Sequence, residues 1–179
     1  METDRIMKRH EEREDLAGEH KLGDLGQLIF LFLFLVIWIG DSFFLKLTMQ
    51  CADYAPPMVR IILWLIIAVT GSILARRGLK RVFGEVRAEP TVIREDVFGL
   101  VRHPIYLGAI LFYLSLLSVS LSLAAAALWA IIILFYVYLC LHEERLLLAK
   151  FGREYIDYQR DVPMLIPNPF RGRRRSNKS

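Results

Sequence analysis

Hydrophobic residues along this chain fall into three blocks that are separated by charged segments. The first block, about residues 25–45, contains one charged residue, Asp41, and the second, residues 58–75, contains Arg60 near its start. About 20 apolar residues in a helix cross a hydrocarbon layer of roughly 30 Å. The pattern therefore predicts two membrane-spanning helices, joined by a short connection that contains Pro56-Pro57.

The third block, residues 104–141, contains no charged residue over 38 positions. A single helix of that length would measure about 57 Å, which is far more than the thickness of a bilayer. The block must therefore fold back on itself as a helical hairpin. We predict the turn at Ser118–Ser122, because serine hydroxyls satisfy backbone groups locally.

Lysine and arginine are distributed unevenly around these blocks. Five precede the first span, seven lie in residues 76–103 and nine follow Leu141, which leaves Lys46 and Arg60 for the opposite side. Basic residues accumulate in cytoplasmic loops, so we predict a multi-pass membrane protein with both termini in the cytoplasm. The membrane would be the cytoplasmic membrane of a prokaryote or the endoplasmic reticulum of a eukaryote. We expect no cleavable signal peptide, because the apolar run follows a long charged leader.

Composition agrees with this arrangement. The chain has 179 residues, of which 55% are hydrophobic and 23% charged, and one soluble domain of this size cannot bury that much apolar surface. Cys51 and Cys140 are far apart in sequence and indicate neither a disulfide nor a zinc motif. The predicted fold class is all-α, an integral membrane bundle of four transmembrane helices with a cytosolic C-terminal helical segment.

The predicted hairpin brings distant polar residues to one membrane face. If the chain enters the bilayer after Arg102-His103 and leaves it at His142-Glu143-Glu144, these groups end about one helix spacing apart, with Tyr106 one turn inside. Each group also has a plain explanation, since Arg102 and His103 suit an interfacial anchor and the glutamates suit a solvated helical turn. A metal site is a functional alternative, because His103, His142 and a glutamate are ligand types.

The spacing argues against the metal alternative. His142-Glu143-Glu144-Arg145 is not the His-Glu-x-x-His pattern that places two histidines on one helix face, so we predict no metal. A nucleophile-based hydrolase is disfavoured as well, since the chain has no Gly-x-Ser-x-Gly turn and no paired cysteine and histidine motif.

Several motifs together resemble a known enzyme family. Arg-His-Pro-Ile-Tyr-Leu-Gly at 102–108, the Glu pair at 143–144, Phe-Gly-Arg-Glu-Tyr-Ile-Asp-Tyr at 151–158 and Val-Pro-Met-Leu-Ile-Pro at 162–167 resemble the isoprenylcysteine carboxyl methyltransferases and the related phospholipid N-methyltransferases. The resemblance extends from about Thr91 to Pro167. It implies a membrane methyltransferase that uses S-adenosylmethionine at the cytosolic boundary.

The resemblance also implies a set of site residues. Arg102 and Glu143 would be catalytic. The cofactor would be bound by the loop before the hairpin, by the start of the hairpin and by the Glu pair: Pro90, Thr91, Val92, Ile93, Phe98, His103, Pro104, Ile105, Tyr106, Glu143 and Glu144. Independently of the resemblance, a ligand with a sulfonium, an ammonium, a carboxylate and ribose hydroxyls calls for carboxylates, an arginine and aromatic faces together.

Two positions depart from the family pattern. The loop before Arg102 has Asp96-Val97-Phe98, where the family often has a glycine before the aromatic residue. Leu139 stands where isoprenylcysteine enzymes carry a substrate-directed arginine. A site at the bilayer boundary favours a lipid-like acceptor, nearest to the isoprenylcysteine type, with phospholipid N-methylation as the alternative. The acceptor atom, oxygen, nitrogen or sulfur, is left open, and so is the oligomeric state.

Two other classes remain as alternatives, a membrane reductase that uses NADPH and a non-catalytic membrane protein. We expect the lipid bilayer as a partner and no nucleic acid. The predicted organisation is a charged arm (1–24), two transmembrane helices (25–75), a cytosolic connector with the cofactor loop (76–103), the hairpin (104–141), a C-terminal catalytic segment (142–167) and a basic tail (168–179).

Overall fold

The computed structural model describes residues 21–49, 54–84 and 91–167. Their α-helices are α1 (Lys21–Ile39), α2 (Pro57–Phe83), α3 (Pro104–Ser120), α4 (Leu123–Phe151) and α5 (Arg153–Asp161). A π-helical turn at Gly40–Leu45 extends α1, and a 3-10 turn covers Asp96–Gly99. These described ranges contain no β-strand, which confirms the all-α class. The predictions for the basic tail and for most of the charged arm lie outside them.

Three helical stretches are long and apolar enough to cross a membrane: Gly23–Leu45, Pro57–Phe83 and Leu123–Phe151. Helix α3 is shorter, with 17 residues, or about 26 Å. The outer faces of α1 and α2 expose large apolar side chains such as Phe32, Leu65 and Ile66, at 68, 53 and 57%. An apolar surface of this extent suits a bilayer. A fourth crossing by α3 remains a prediction.

Helices α2 and α3 approach each other through small residues. A Cβ atom on Gly108 of α3 would lie 2.8 Å from the Gly71 carbonyl oxygen and 2.9 Å from the Ala75 Cβ of α2. Further along α2, a Cβ on Gly78 would meet the Ile105 side chain at 2.7 Å. Small residues let helix backbones pack closely in membranes. This contact fixes the first turns of α3 against α2.

The inner faces of α1, α3 and α4 form the main core. Its buried members are Phe34, Ile110, Tyr113, Leu117, Ala125, Ile132, Tyr136, Leu139, Cys140 and Leu165. Two tryptophans at its edge satisfy their indole N–H groups on carbonyls of α3, Trp38 on Leu116 at 2.9 Å and Trp129 on Ile110 at 3.1 Å. Both contacts tie a neighbouring helix to α3.

The apolar run 104–141 turns back at Leu121-Ser122, inside the segment where the sequence predicts a turn. Leu121 has a left-handed backbone, with φ 54°, and its N–H caps α3 on the Leu117 carbonyl. The Ser122 hydroxyl accepts a hydrogen bond from the Ala125 N–H and so caps α4. Arg60 of α2 donates to the Val119 carbonyl at 3.0 Å, in the last turn of α3.

A buried carboxylate from the end of α1 lies against this turn. Asp41 accepts hydrogen bonds from the hydroxyls of Thr48 and Ser122, and from the backbone N–H groups of Leu47 at 3.0 Å and Thr48 at 3.1 Å. We call Asp41, Thr48 and Ser122 the turn-end cluster. It connects the end of α1 to the hairpin turn.

The chain bends again at the other end of α4. Gly152, where the sequence predicts an interruption, has φ 54° and separates α4 from α5. Helix α5 folds back so that Tyr155, Tyr158 and Val162 form a second buried cluster with Val92 and the last turns of α4. The residues after α5 are thereby directed toward the start of α3.

Candidate functional site

The site lies where the chain enters α3. Pro104 occupies the first turn of the helix, a position that needs no backbone N–H. The two N–H groups before it pair with the segment that follows α5, Arg102 with the Pro163 carbonyl at 2.9 Å and His103 with the Met164 carbonyl at 3.2 Å. The start of α3 and the C-terminal segment are therefore joined through their backbones.

Arg102 forms an ion pair with Glu144 of α4. Its Nε and Nη2 atoms both lie 2.7 Å from Glu144 Oε1, and the two side chains are only 11% and 9% exposed. Its Nη1 atom donates to the backbone carbonyls of Gln159, at 3.1 Å, and Val162. Charge-assisted hydrogen bonds of this kind are stronger than neutral ones. One guanidinium thus links α3, α4 and the segment after α5.

His103 lies between the two glutamates. Its Nε2 atom is 3.2 Å from Glu144 Oε1 and its Nδ1 atom is 3.4 Å from Glu143 Oε2, while the side chain is 5% exposed. Burial opposes a charged imidazole, but the Cys140 thiol and the two carboxylates outweigh it and raise the pKa of His103 well above its ordinary value. The surroundings of His103 therefore favour the protonated imidazole.

Tyr106 and Glu143 complete the group. The Tyr106 hydroxyl donates to Glu143 Oε1, and the Tyr106 ring lies parallel to the His103 ring with 5.8 Å between centroids. The Glu143 side chain is 26% exposed, more than its neighbours Arg102, His103 and Glu144. We call these five residues the charged cluster. All five were predicted as site residues, and the hairpin does bring them together.

Two further residues touch the charged cluster that the sequence reasoning did not identify. The Gln159 side-chain amide donates to Glu144 Oε2 at 2.8 Å, and the buried Cys140 thiol lies beside His103. Helical spacing gave a signal for both. Gln159 lies four residues after Tyr155, and Cys140 lies four residues before Glu144, so each shares a helix face with a buried residue.

The other predicted cofactor residues lie around the charged cluster rather than in it. Thr91 is exposed and Ile93 is half-buried. Val92 packs on the second buried cluster, and the Phe98 carbonyl accepts a hydrogen bond from Tyr158 at 2.7 Å. Pro90 lies outside the described residues.

Pro104 and Ile105 face α2, because both side chains lie over Gly78. The geometry gives these two residues a packing role at the start of α3. Among the residues that the structure describes, no group of three or more His, Cys, Asp or Glu side chains is arranged to hold a metal ion.

The arrangement combines two buried cations with two carboxylates of different exposure. Glu144 has donors on both oxygens and orients Arg102 and His103, whereas Glu143 has solvent-accessible surface. A partly exposed carboxylate beside a phenol and two cations suits a ligand that carries an ammonium or hydroxyls together with a carboxylate. The charged cluster lies at the end of the apolar hairpin opposite to its turn.

Comparison with known proteins gives three curated relatives. The chain is 39% identical over 83 residues to methanethiol S-methyltransferase 2 of Bradyrhizobium diazoefficiens, which is 46% of this chain and 31% of the relative. It is 38% identical over 99 residues to methanethiol S-methyltransferase of Mycobacterium tuberculosis, which is 52% of this chain and 39% of the relative. It is 37% identical over 95 residues to the Crocosphaera subtropica enzyme of the same name, which is 50% of this chain and 36% of the relative.

These relatives confirm the resemblance to the isoprenylcysteine carboxyl methyltransferase-like membrane methyltransferases. No protein-family model matches the chain, and no solved structure gives a significant match. The matched segment spans between about a third and two fifths of the length of the curated relatives. The likeness therefore covers one part of each relative.

Proposed function

We propose that this chain is a methyltransferase that uses S-adenosylmethionine to methylate the sulfur of a small apolar thiol at the membrane boundary. The observation that carries the proposal is the charged cluster, in which motif residues from positions 102–106 and 143–144 meet within hydrogen-bonding distance at one end of an apolar hairpin. The relatives, which are methanethiol S-methyltransferases, supply the acceptor class.

The charged cluster fits the methyl donor group by group. Glu143 is the accessible carboxylate, so it is the partner for the donor's ammonium or ribose hydroxyls. Arg102 and His103 supply positive charge for its carboxylate, and the Tyr106 ring offers an aromatic face to its sulfonium. Glu144 holds Arg102 and His103 in position. When bound, the donor supplies an electrophilic methyl group.

A thiol acceptor must react as its thiolate. An unperturbed thiol has a pKa near 8.5, so only a minor fraction is ionised at neutral pH. The thiol would first lose its proton to water, and its sulfur would then take the methyl group as the donor's own C–S bond breaks, which leaves the donor as a neutral thioether. Positioning supplies most of the rate.

Leu139 favours a thiol over a carboxylate acceptor. It stands where isoprenylcysteine enzymes carry an arginine, and here it is 6% exposed within the apolar core. The carboxylate of an acceptor bound beside Leu139 would lack the arginine that pairs with it in those enzymes, whereas an apolar thiol needs no such cation. A phospholipid amine must first lose a proton, and the relatives do not favour that acceptor. A lipid-like acceptor stays a prediction, to be tested beside the thiol.

The proposed function includes a topology. We propose that α3 crosses the membrane together with the three longer helices, which places both termini and the charged cluster on the cytoplasmic side, where a soluble donor is available. The uneven distribution of lysine and arginine supports this orientation. Tags at each end of the chain test it by accessibility, and a terminus on the outer or lumenal side would contradict it.

Purified protein in detergent tests the acceptor. It is incubated with a radiolabelled methyl donor and with methanethiol, longer alkanethiols, prenylcysteine analogues or phosphatidylethanolamine. We expect a labelled methyl thioether from the thiols. A base-labile methyl ester or a labelled amine headgroup would instead identify a carboxylate or an amine acceptor. No transfer to any of them would contradict the proposed function.

Donor binding tests the site. We expect calorimetry to show roughly 10-fold weaker binding of S-adenosylmethionine in Glu143→Ala and in His103→Ala, because each removes a charge-assisted contact. Arg160→Ala is the control, since Arg160 is exposed and pairs only loosely with Asp157 at 3.8 Å. Unchanged affinity in both site variants would contradict the assignment.

A further inference from the structure

We propose that Gln159 is a positioning residue, which orients Glu144 and Arg102 of the charged cluster for the reaction. This inference rests on the proposed function, because the consequence that matters is the rate of methyl transfer. Gln159 lies on α5, outside the motif positions 102–108 and 143–144, and touches both members of the central ion pair.

The first contact is to the carboxylate. Glu144 Oε1 is shared by Arg102 and His103, while Oε2 accepts a hydrogen bond from Gln159 Nε2 at 2.8 Å. The Glu144 side chain is 9% exposed, so water is a poor substitute for that donor. With donors on both oxygens, the plane of the carboxylate is fixed, and so is the direction from which Arg102 and His103 approach it.

The second contact is to the guanidinium. The Gln159 backbone carbonyl accepts a hydrogen bond from Arg102 Nη1 at 3.1 Å, next to the contact of the same atom with the Val162 carbonyl. Gln159 therefore contacts the Glu144 carboxylate through its side chain and the Arg102 guanidinium through its backbone. The backbone contact persists in any substitution, so a side-chain variant isolates the contact to Glu144.

The chemistry of an amide explains this residue type. Arg102, protonated His103, Glu143 and Glu144 carry two charges of each sign, so the charged cluster is close to neutral. A lysine at 159 would add a charge, whereas an amide donates a hydrogen bond without one. A glutamate at 159 would place a like charge within hydrogen-bonding distance of Glu144 until it became protonated.

Two variants separate positioning from general stability. Gln159→Met is close in size but has no donor, so we expect kcat/KM to fall roughly 10-fold and the acid limb of the pH–rate profile to move to higher pH, because ionised Glu144 loses a donor. Gln159→Glu should be impaired to a similar degree at neutral pH, and its rate relative to the wild type at the same pH should recover as the pH falls, because a protonated carboxyl again donates to Glu144.

The experiment measures kcat/KM for thiol methylation from pH 5.5 to 9 in the wild type, Gln159→Met, Gln159→Glu and Arg160→Ala. Thermal unfolding is followed in parallel over the same pH range. Arg160→Ala, on the exposed face of α5, should match the wild type in both measurements. Recovery of Gln159→Glu toward acid pH without recovery of Gln159→Met supports the proposal.

The outcomes distinguish this inference from the proposed function. If the wild type methylates the thiol and both Gln159 variants share its pH profile, the positioning role is wrong and the proposed function stands. If the wild type transfers no methyl group, the proposed function fails. The unfolding curves then test the contact alone, and equal pH dependence of stability in both Gln159 variants would overturn it.

Discussion

The two ends of the α3–α4 hairpin each hold a buried carboxylate, but they satisfy it in different ways. At the turn end, Asp41 accepts hydrogen bonds from the Thr48 and Ser122 hydroxyls and from the backbone N–H groups of Leu47 and Thr48, all of them neutral. At the other end, Glu144 is bound by a guanidinium and an imidazole that is itself held by a second carboxylate. Among the contacts of these two carboxylates, only those of Glu144 include charged donors.

This difference indicates what each end is for. Buried ion pairs carry a desolvation cost that neutral hydrogen bonds avoid, and replacing them by apolar residues is often neutral or stabilising. The turn-end cluster shows that neutral donors are enough to hold a buried carboxylate where its role is to connect α1 to the hairpin turn. The other end has four ionisable groups, Arg102 and His103 before α3 and Glu143 and Glu144 on α4. This is more charge than is needed to hold the two helices together, and the Glu143 side chain has exposed surface. The excess charge supports the proposed binding site for the methyl donor.

Removing Arg102 should lower stability and activity more than any other substitution at the two ends of the hairpin. Arg102→Met takes the cation from Glu144 and two donors from the carbonyls of Gln159 and Val162. Removing one partner of a buried ion pair costs about 3–5 kcal/mol, and Glu144 keeps its contacts with His103 and Gln159. We therefore expect a loss of about 3 kcal/mol in the free energy of unfolding, measured in detergent, and no detectable methyl transfer.

A double variant separates stability from function. Arg102→Met with Glu144→Leu removes both charges, so much of the stability should return while methyl transfer stays absent. Arg77→Met is the control, because Arg77 forms an exposed ion pair with Asp96 at 3.3 Å that contributes about 0–1 kcal/mol. If the double variant recovered activity, the charges would be structural and the contrast between the two ends would disappear.

The opposite test belongs to the turn-end cluster. Asp41→Ala leaves the Thr48 and Ser122 hydroxyls without their acceptor, and we expect a loss of about 2–3 kcal/mol in the free energy of unfolding. Asp41→Asn keeps one oxygen and should cost less. The folded fraction of both variants should bind S-adenosylmethionine with wild-type affinity by calorimetry. Lost affinity in fully folded Asp41→Ala would show that the two ends are coupled.

The helices were predictable because they follow from composition and length. The uncharged run 104–141 is too long for one crossing, and the hairpin that it requires also explains why residues 102–106 meet the Glu pair. The roles of Asp41 and Gln159 were not predictable in the same way. Helical spacing predicts that Gln159 shares a face with the buried Tyr155, but it does not predict which residue Gln159 meets on another helix, and the contact of Asp41 with Ser122 spans 81 positions.

The pH dependence of stability distinguishes the two ends by a smaller effect. The pKa of His103 is raised well above 6.5, so the folded protein holds this proton more tightly than the unfolded chain does. The stabilisation is complete at a pH below the pKa of the histidine in the unfolded chain, and it is lost as the pH rises through the pKa of His103 in the folded protein. Stability should therefore decline above about pH 6.5, by at most about 1.4 kcal/mol per pH unit for one proton.

Thermal unfolding between pH 6 and 9 measures this slope. His103→Gln should lose it, because no imidazole remains to titrate between Glu143 and Glu144. Asp41→Asn should keep it, since the turn-end cluster contains no histidine. The same slope in the wild type and in His103→Gln would show that another group carries the pH dependence.

The smallest expected effect concerns how far the charged cluster extends toward the loop 91–98. The Tyr158 hydroxyl donates to the Phe98 carbonyl at 2.7 Å, and the Arg94 guanidinium lies 5.7 Å from the centroid of the Tyr158 ring. Tyr158→Phe keeps the ring and removes one hydrogen bond, so we expect about 1 kcal/mol less stability and donor affinity a few-fold lower if the loop helps to bind the donor. Tyr138→Phe, on a side chain that is 65% exposed, is the control. Unchanged affinity with reduced stability would limit the donor site to the charged cluster and assign residues 91–98 a packing role.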